Sequence, residues 1–211
     1  MPSYWEILRS NTFFGKETKI GFAVLAPKRW QWDIDNKVTY FNEEQRLLKL
    51  IVVEKGRLFL NGIPLTTTTM NQPGKYDNYY LYVIDREGKI FVTPKQINSE
   101  NKIYHSSLLA GGTVLCAGYL KVENGFLKEI DNGSIHYNYP NSSCMFKLLS
   151  HLRKNGLDLN SFSVRFYHKE LGPPTLYHTA LKFLEDFPYV DLIEAPSSSS
   201  TTTTNSIIKI F

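Results

Sequence analysis

A chain of 211 residues, 42% hydrophobic and 14% aromatic, has enough apolar content to build the core of one ordinary domain. Its 24 basic and 20 acidic residues leave a formal charge of +4, and the basic residues are scattered, without the run that would track a nucleic-acid backbone. Nucleic acid is therefore not an expected partner, and neither is a membrane, because no window approaches the roughly 18 apolar residues of a spanning helix.

The N-terminal stretch Met-Pro-Ser-Tyr-Trp-Glu-Ile-Leu-Arg has no apolar run of signal-peptide type, so a soluble protein of the cytoplasm or nucleus is the expectation. Cys116 lies in an apolar strand-like context and Cys144 at a helix start, without the close Cys/His spacing of a zinc site. Two reduced, buried thiols are expected, with no metal and no cofactor.

Tyr4 to Leu8 suits a short helix or an anchoring arm, and Ile20 to Leu25 a short strand stopped by Pro27. Trp30, Trp32, Tyr40 and Phe41 surround Asp33 to Asn36, an aromatic-flanked polar turn that would serve either as a binding lip or as cover for one end of the core; the packing role carries more weight. Leu47 to Val53, Leu58 to Leu60 and Ile63 to Leu65, separated by turns at Gly56 and Gly62, read as a meander of strands. Thr66 to Thr69 and Asn71 to Gly74 read as loop. Tyr79 to Ile84 and Lys89 to Thr93 flank Asp85-Arg86-Glu87-Gly88 as a second hairpin, ended by Pro94.

Val114 to Ile130 is a strand–turn–strand pattern turning at Glu123-Asn124-Gly125, since Asn-Gly supplies the two positive φ angles that the favoured tight turn requires. Its Lys121-Val122-Glu123-Asn124-Gly125-Phe126-Leu127 is locally similar to Val52-Val53-Glu54-Lys55-Gly56-Arg57-Leu58, which suggests two related hairpins. The hairpin would return the segments on either side of it to one end of a sheet, so that His105, Ser106 and Ser107 face Ser134, His136 and Tyr137. Asn141-Ser142-Ser143 offer helix caps, and Met145, Phe146, Leu148, Leu149 and Leu152 follow at spacings of three and four as far as Asn155-Gly156. Leu157 to Tyr167 reads as extended, Pro173-Pro174 interrupt it, and Thr175 to Phe187 carries a second amphipathic helical pattern that would pack on the sheet. The Ser197 to Thr204 tract is too polar to bury itself, which divides the chain into a globular domain over residues 1–195 and a Ser/Thr-rich tail over 196–211. The fold class is α+β, a hairpin-rich antiparallel sheet with two helices late in the chain.

Two readings of the polar cluster stay open. In the first, His105 and His136 are an acid/base pair, Ser106 or Ser107 is a nucleophile or ligand for a substrate hydroxyl, Tyr137 and Ser134 complete the site, and Gly111-Gly112 lets an anionic group approach the backbone. In the second, the same side chains bond loop backbones, and the glycines serve the turn. No acidic residue stands at a spacing that would complete a triad.

The order His105 to Gly112, Ala117-Gly118, Asn124-Gly125 and Ser134 to Tyr137 resembles the core of the plant calmodulin-binding IQM family, which reads His-Ser-Ser-Phe-Leu-Ala-Gly-Gly, then Ala-Gly, an Asn-Gly hairpin and Ser-Gly-His-Tyr. The likeness runs from about Tyr4 to Phe166. It implies a shared core domain acting as an intracellular regulatory or ligand-binding module, with a small molecule or a protein as partner. Two departures limit the transfer: Ile135 stands where the family has Gly, and Gln45 lacks the Arg-Gly that an IQ element places after it, so calmodulin is not expected to bind this sequence. The His-Ser and His-Tyr patterns also resemble those of bacterial toxin-like proteins. With the Gly-Gly loop, that likeness implies the alternative of a transferase or hydrolase acting on a nucleotide-like or nicotinamide-containing substrate.

Overall fold

A computed structural model describes residues 30–67, 78–97, 102–138, 141–168 and 172–187. The expected N-terminal helix or arm, the Ile20 to Leu25 strand and the Ser/Thr tail lie outside these residues, as do Thr68, Thr69 and Asn71 to Gly74 of the expected loop.

Three tight turns set the architecture. Lys55-Gly56, Asn61-Gly62 and Asn124-Gly125 each place two successive residues at positive φ, at 48° and 75°, 53° and 77°, and 48° and 81°. That pair of angles matches the twist of the flanking strands. The first two turns fold β1 (Ile51–Glu54), β2 (Arg57–Leu60) and β3 (Ile63–Pro64) into the expected meander, although its first strand starts at Ile51 because Leu47 ends a short helix, α2 (Glu43–Leu47). The third joins β8 (Cys116–Glu123) to β9 (Phe126–Asp131). The tip of that second hairpin docks on the meander, with Leu58 N donating to Gly125 O at 2.9 Å and Gly125 N to Leu65 O at 2.7 Å. The two hairpins with similar sequence are thus physical neighbours.

β4 (Tyr80–Ile84) and β5 (Ile90–Pro94) form the hairpin expected around Gly88, whose φ is 80°. They complete a six-stranded sheet in the order β11-β10-β9-β8-β4-β5, in which β10 is Ser163–Phe166 and β11 is Thr175–Tyr177. A separate two-stranded pair, β6 (Gln96–Ile97) and β7 (Lys102–Ile103), lies beyond β5 in sequence.

Both faces of the central strands are covered, because successive side chains of a strand point to opposite sides. Tyr82, Ile84, Cys116, Leu120 and Val122 face a core shared with Met145, Leu148, Leu149 and Leu152. Those four buried residues belong to α4 (Ser142–Lys154), whose N-terminus is capped by the Asn141 side chain accepting from Cys144 N at 3.1 Å. Such a cap is worth about 1 kcal/mol. Leu81, Val83, Ala117 and Tyr119 face the other way, into a second core with Leu108, Val114 and Tyr137. Cys116 is buried and Cys144 partly so; both are free thiols, and Cys144 donates to Leu115 O.

The C-terminal half differs from the sequence reading in two places. Only β10 (Ser163–Phe166) of the Leu157 to Tyr167 stretch is strand, and it runs parallel to β9, a pairing that the α4 crossover makes possible. The helix expected from Thr175 begins later. Thr175–Tyr177 is instead strand β11, paired antiparallel with β10, and helix α5 covers Ala180–Asp186 behind an N-cap at Thr179. β-branched Thr175 and aromatic Tyr177 fit a pleated edge, and only after the capping hydroxyl does the helical spacing of Ala180 and Phe183 reach the core. The observed class is α+β, with two core-packing helices after β9.

Gly118 marks the tightest backbone approach. A β-carbon there would overlap the Asp131 carbonyl oxygen, whereas one at Gly62 meets nothing within 4 Å and only inherits a φ of 77°. Gly118→Ala is accordingly expected to cost about 3 kcal/mol or more, and Gly62→Ala about 1–2 kcal/mol. Urea unfolding of the two variants measures the difference; equal losses would contradict the close approach of Gly118 to the Asp131 backbone.

Candidate functional site

The turn expected around Asp33 is a short helix, α1 (Trp30–Asp35), and it delivers the acid that the sequence spacing did not supply. Asp33 is 2% exposed, and its Oδ1 lies 2.9 Å from His136 Nε2, across 103 residues of sequence. Its other oxygen, Oδ2, accepts from the Tyr40 hydroxyl at 2.9 Å. The Tyr40 phenol is pushed up to about 12, first by burial and then by its bond to Asp33, so it remains a donor at neutral pH. A carboxylate facing Nε2 fixes that nitrogen as the protonated one and sets the orientation of the ring.

Aromatic rings wall this pair. The Trp32 ring stands edge-on to His136 with centroids 5.4 Å apart, and Tyr104 lies 5.3 Å from both His136 and Trp32. Trp32, Tyr40 and Tyr104 are each half-buried, whereas His136 is 6% exposed.

The other candidates take backbone partners. His105 begins the short helix α3 (His105–Leu108), and its Nε2–H donates to the Gly118 carbonyl at 2.9 Å. Burial, with the like charges of His136 and Lys95 adding to it, lowers His105 to about 3, so its ring stays neutral. Ser107 Oγ accepts from Tyr104 N at 3.0 Å and closes the first turn of α3. Ser106 is fully buried, and its hydroxyl has no partner among the described residues. Ser134 Oγ lies 3.4 Å from Tyr137 N, and the Tyr137 hydroxyl donates to Gly112 O at 2.8 Å, tying the His-Tyr segment to the Gly-Gly segment. Burial raises the Tyr137 phenol, and Asp33 and Tyr40 raise it further.

The glycines are sterically committed. Gly111 has a φ of 74°, and a β-carbon on it would lie 3.0 Å from the Tyr40 hydroxyl; one on Gly112 would lie 2.9 Å from Leu109 O. The hairpin therefore does bring the two flanking segments together, through Tyr104 against His136 and Tyr137 against Gly112. It does not bring the two histidines into mutual hydrogen bonding. Sequence reasoning missed Asp33, Tyr40, Trp32 and Tyr104 as neighbours of His136; the one available signal was the aromatic-flanked acidic turn. Among the described residues no group of three or more His, Cys, Asp or Glu is placed to hold a metal ion, and no helix is long and apolar enough to cross a membrane.

A second acid stands behind the site. Asp131 is fully buried, its Oδ1 accepts from Tyr119 N and Gly133 N at 2.8 Å each, and its Oδ2 has no partner among the described residues. Burial pushes it up to about 7, against the two backbone bonds and Arg165, which lower it, while Glu129 adds to the rise.

Asp131 and His105 give stability opposite pH slopes. His105, near 6.5 when unfolded, sits at about 3, so its contribution is present above about pH 6.5 and lost as the pH falls toward 3. Asp131, near 3.9 when unfolded, sits at about 7, so its contribution is present below about pH 4 and lost as the pH rises through 7. The two offset each other in between. Asp131→Asn should therefore gain stability from about pH 4 to 6.5 and His105→Gln should lose it, each by up to about 1.4 kcal/mol per pH unit. Urea midpoints across that range provide the check, and flat profiles in both variants would contradict these assignments.

Comparison with known proteins gives a family likeness that covers part of this site. Residues 45–144, just under half of the chain, match the family described as IQ motif-containing protein middle domain. The IQ domain-containing protein IQM2 of Arabidopsis thaliana is 32% identical over 124 residues, 58% of this chain and 19% of that protein. Its counterpart IQM3 from the same plant is 33% identical over 91 residues, 43% of this chain and 19% of that protein. The chain thus spans about a fifth of the length of these curated relatives. No solved structure matches it. Family match and identities together show that this chain resembles the core domain of the IQM proteins.

Proposed function

We propose that this chain is an intracellular regulatory or ligand-binding module, one globular domain over residues 1–195 with a polar tail, that binds a small molecule or a protein segment at the cluster around His136. The observation that carries this reading is the Asp33–His136 pair, two ionisable side chains buried together behind half-exposed aromatic rings. A buried ionic pair is seldom the most stable filling for such a space, since well-packed apolar residues of similar volume often do as well or better. Its retention is intelligible if the ring must be held in one orientation for a ligand. In this proposal His105, Ser106, Ser107, Ser134, Tyr137 and the Gly111-Gly112 pair shape the same cluster from behind.

An enzymatic reading has one specific observation in its favour. A histidine oriented by a buried carboxylate is the arrangement of a general base, which suits a transferase or hydrolase acting on a nucleotide-like substrate. His136 would be the base and Tyr40 the hydroxyl that holds its acid in place.

Asp33→Asn and His136→Gln test both readings. A panel of nucleotides, sugar phosphates and amino acids, followed by the side-chain resonances of His136 and Tyr104, should contain a binder that perturbs both rings and that either substitution weakens at least roughly tenfold. Each substitution alone should also destabilise by about 3 kcal/mol, and the double variant by less than the sum, as expected for a coupled pair. Binders that perturb only distant residues would refute the site. Turnover of a binder by the wild type but not by His136→Gln would favour the enzyme.

Calmodulin supplies a separate test. α4 and α5 spend their apolar faces on the sheet core, which leaves neither of them an anchor row to offer a groove. Titration with calmodulin, with and without calcium, should give no submicromolar binding by this chain. Tight binding would assign the partner site to the core domain itself.

A further inference from the structure

Lys95 follows β5 directly and is half-buried. Its ammonium lies 6.0 Å from the centroid of the Tyr104 ring, at the outer limit of a cation–π contact, and that ring in turn lies 5.3 Å from His136. Among the described residues Lys95 makes no ion pair, although eight such pairs are formed elsewhere. Asp33, the acid of this region, already has its two oxygens engaged by His136 and Tyr40.

Among the described residues of this region, the two cationic groups Lys95 and His136 outnumber the one acid, Asp33. Lys95 and His136 both act as like charges on His105, and burial holds the Lys95 ammonium below the usual lysine range. A half-buried cation with no ion pair among the described residues carries a desolvation cost, and a bound anion would offset it. The surroundings narrow the class of anion. The half-buried Tyr104 ring lies nearest the ammonium and Trp32 stands edge-on to that ring, and flat aromatic surfaces near a point charge suit a planar base joined to a phosphate.

We propose that Lys95 is the anion anchor of the His136 site, holding the phosphate of a nucleoside phosphate whose base lies against Tyr104 and Trp32. This rests on the reading of the Asp33–His136 cluster as a ligand site and names the ligand class of that site. Lys95 acts here as a binding residue, without a part in any bond-making step. A lysine suits the role because its ammonium is a compact charge on a flexible stem, able to follow a phosphate without imposing the planar fork of an arginine.

The test uses the full chain with adenosine and guanosine, their 5′-monophosphates, and inorganic phosphate as probes, measured by calorimetry and by the ring resonances of Tyr104 and His136. The monophosphates should bind at least roughly tenfold more tightly than the neutral nucleosides. Lys95→Gln should abolish that difference while leaving nucleoside binding unchanged, Lys95→Arg should restore most of it, and raised salt should shrink it. Thermal melts confirm that these variants at a half-exposed position are folded. If Lys95→Gln binds the monophosphates as the wild type does while His136→Gln weakens them, the anchor is overturned and the ligand site stands. If neither substitution changes binding, both are overturned. Loss with Lys95→Gln alone, with no shift of the Tyr104 and His136 rings, would place the phosphate elsewhere and overturn the anchor at this site. Absence of monophosphate binding at millimolar concentration overturns it as well.

Discussion

The passage of β8 beneath Asp131 at Gly118 is the constraint on which most of the remaining structure depends. Because Gly118 has no side chain, the Asp131 backbone can come close enough for the Tyr82 hydroxyl to donate to its carbonyl at 2.7 Å. The Asp131 carboxylate then collects Tyr119 N and Gly133 N, and the Gly118 carbonyl receives His105. One crossing thus fixes β4, β8, the end of β9, the start of α3 and the root of the segment that carries His136. All of these partners are buried, so the loss of any one would strand a polar group at a cost of about 1–3 kcal/mol. The site inherits its precision from this crossing.

Against that background the two histidines of the motif have different physical positions. His105 is neutral, spends its N–H on a carbonyl, and stands edge-on to Tyr119 with centroids 5.1 Å apart. This is the economical way to bury an imidazole, with its donor satisfied and no charge formed. His136 meets a carboxylate instead, and a buried carboxylate has to be supported on its second oxygen, which Tyr40 does. The more expensive arrangement stands beside the half-exposed aromatics, and the cheaper one lies deeper in the core.

What the sequence revealed divides along the range of the interactions. The Asn124-Gly125 tip, the Gly88 turn and the Asn141 cap were legible because each is decided within about four residues, by the φ a glycine permits or by a side chain reaching the nearest amide. The joining of the His105 and His136 segments was legible in outline, since a hairpin must return its ends to one place. Asp33 was not. Its partner lies 103 residues away, and an acid in an aromatic-rich turn has no periodicity that points to a distant ring. The segment Thr175–Tyr177 was misread for a related reason: its spacing continued the helical pattern of α5, while the open edge of β10 decided its state. Tertiary pairing overrode a local pattern, as it can wherever a short segment fits both.

The departure at Ile135 and the glycines at Gly111-Gly112 show how this site is held without the family's own pattern throughout. Ile135 is not among the residues at positive φ and is 53% exposed, so the missing glycine costs no backbone strain; the left-handed residue of this turn is Asn138, at 55°. Gly111 is needed both for its φ of 74° and because its bare α-carbon makes room for the Tyr40 hydroxyl. Tyr40 holds Asp33, Asp33 orients His136, and Tyr137, the next residue, returns to Gly112 through its hydroxyl. The loop closes on itself. Two of its members, Asp33 and Tyr40, lie outside residues 45–144, the stretch that the family model matches.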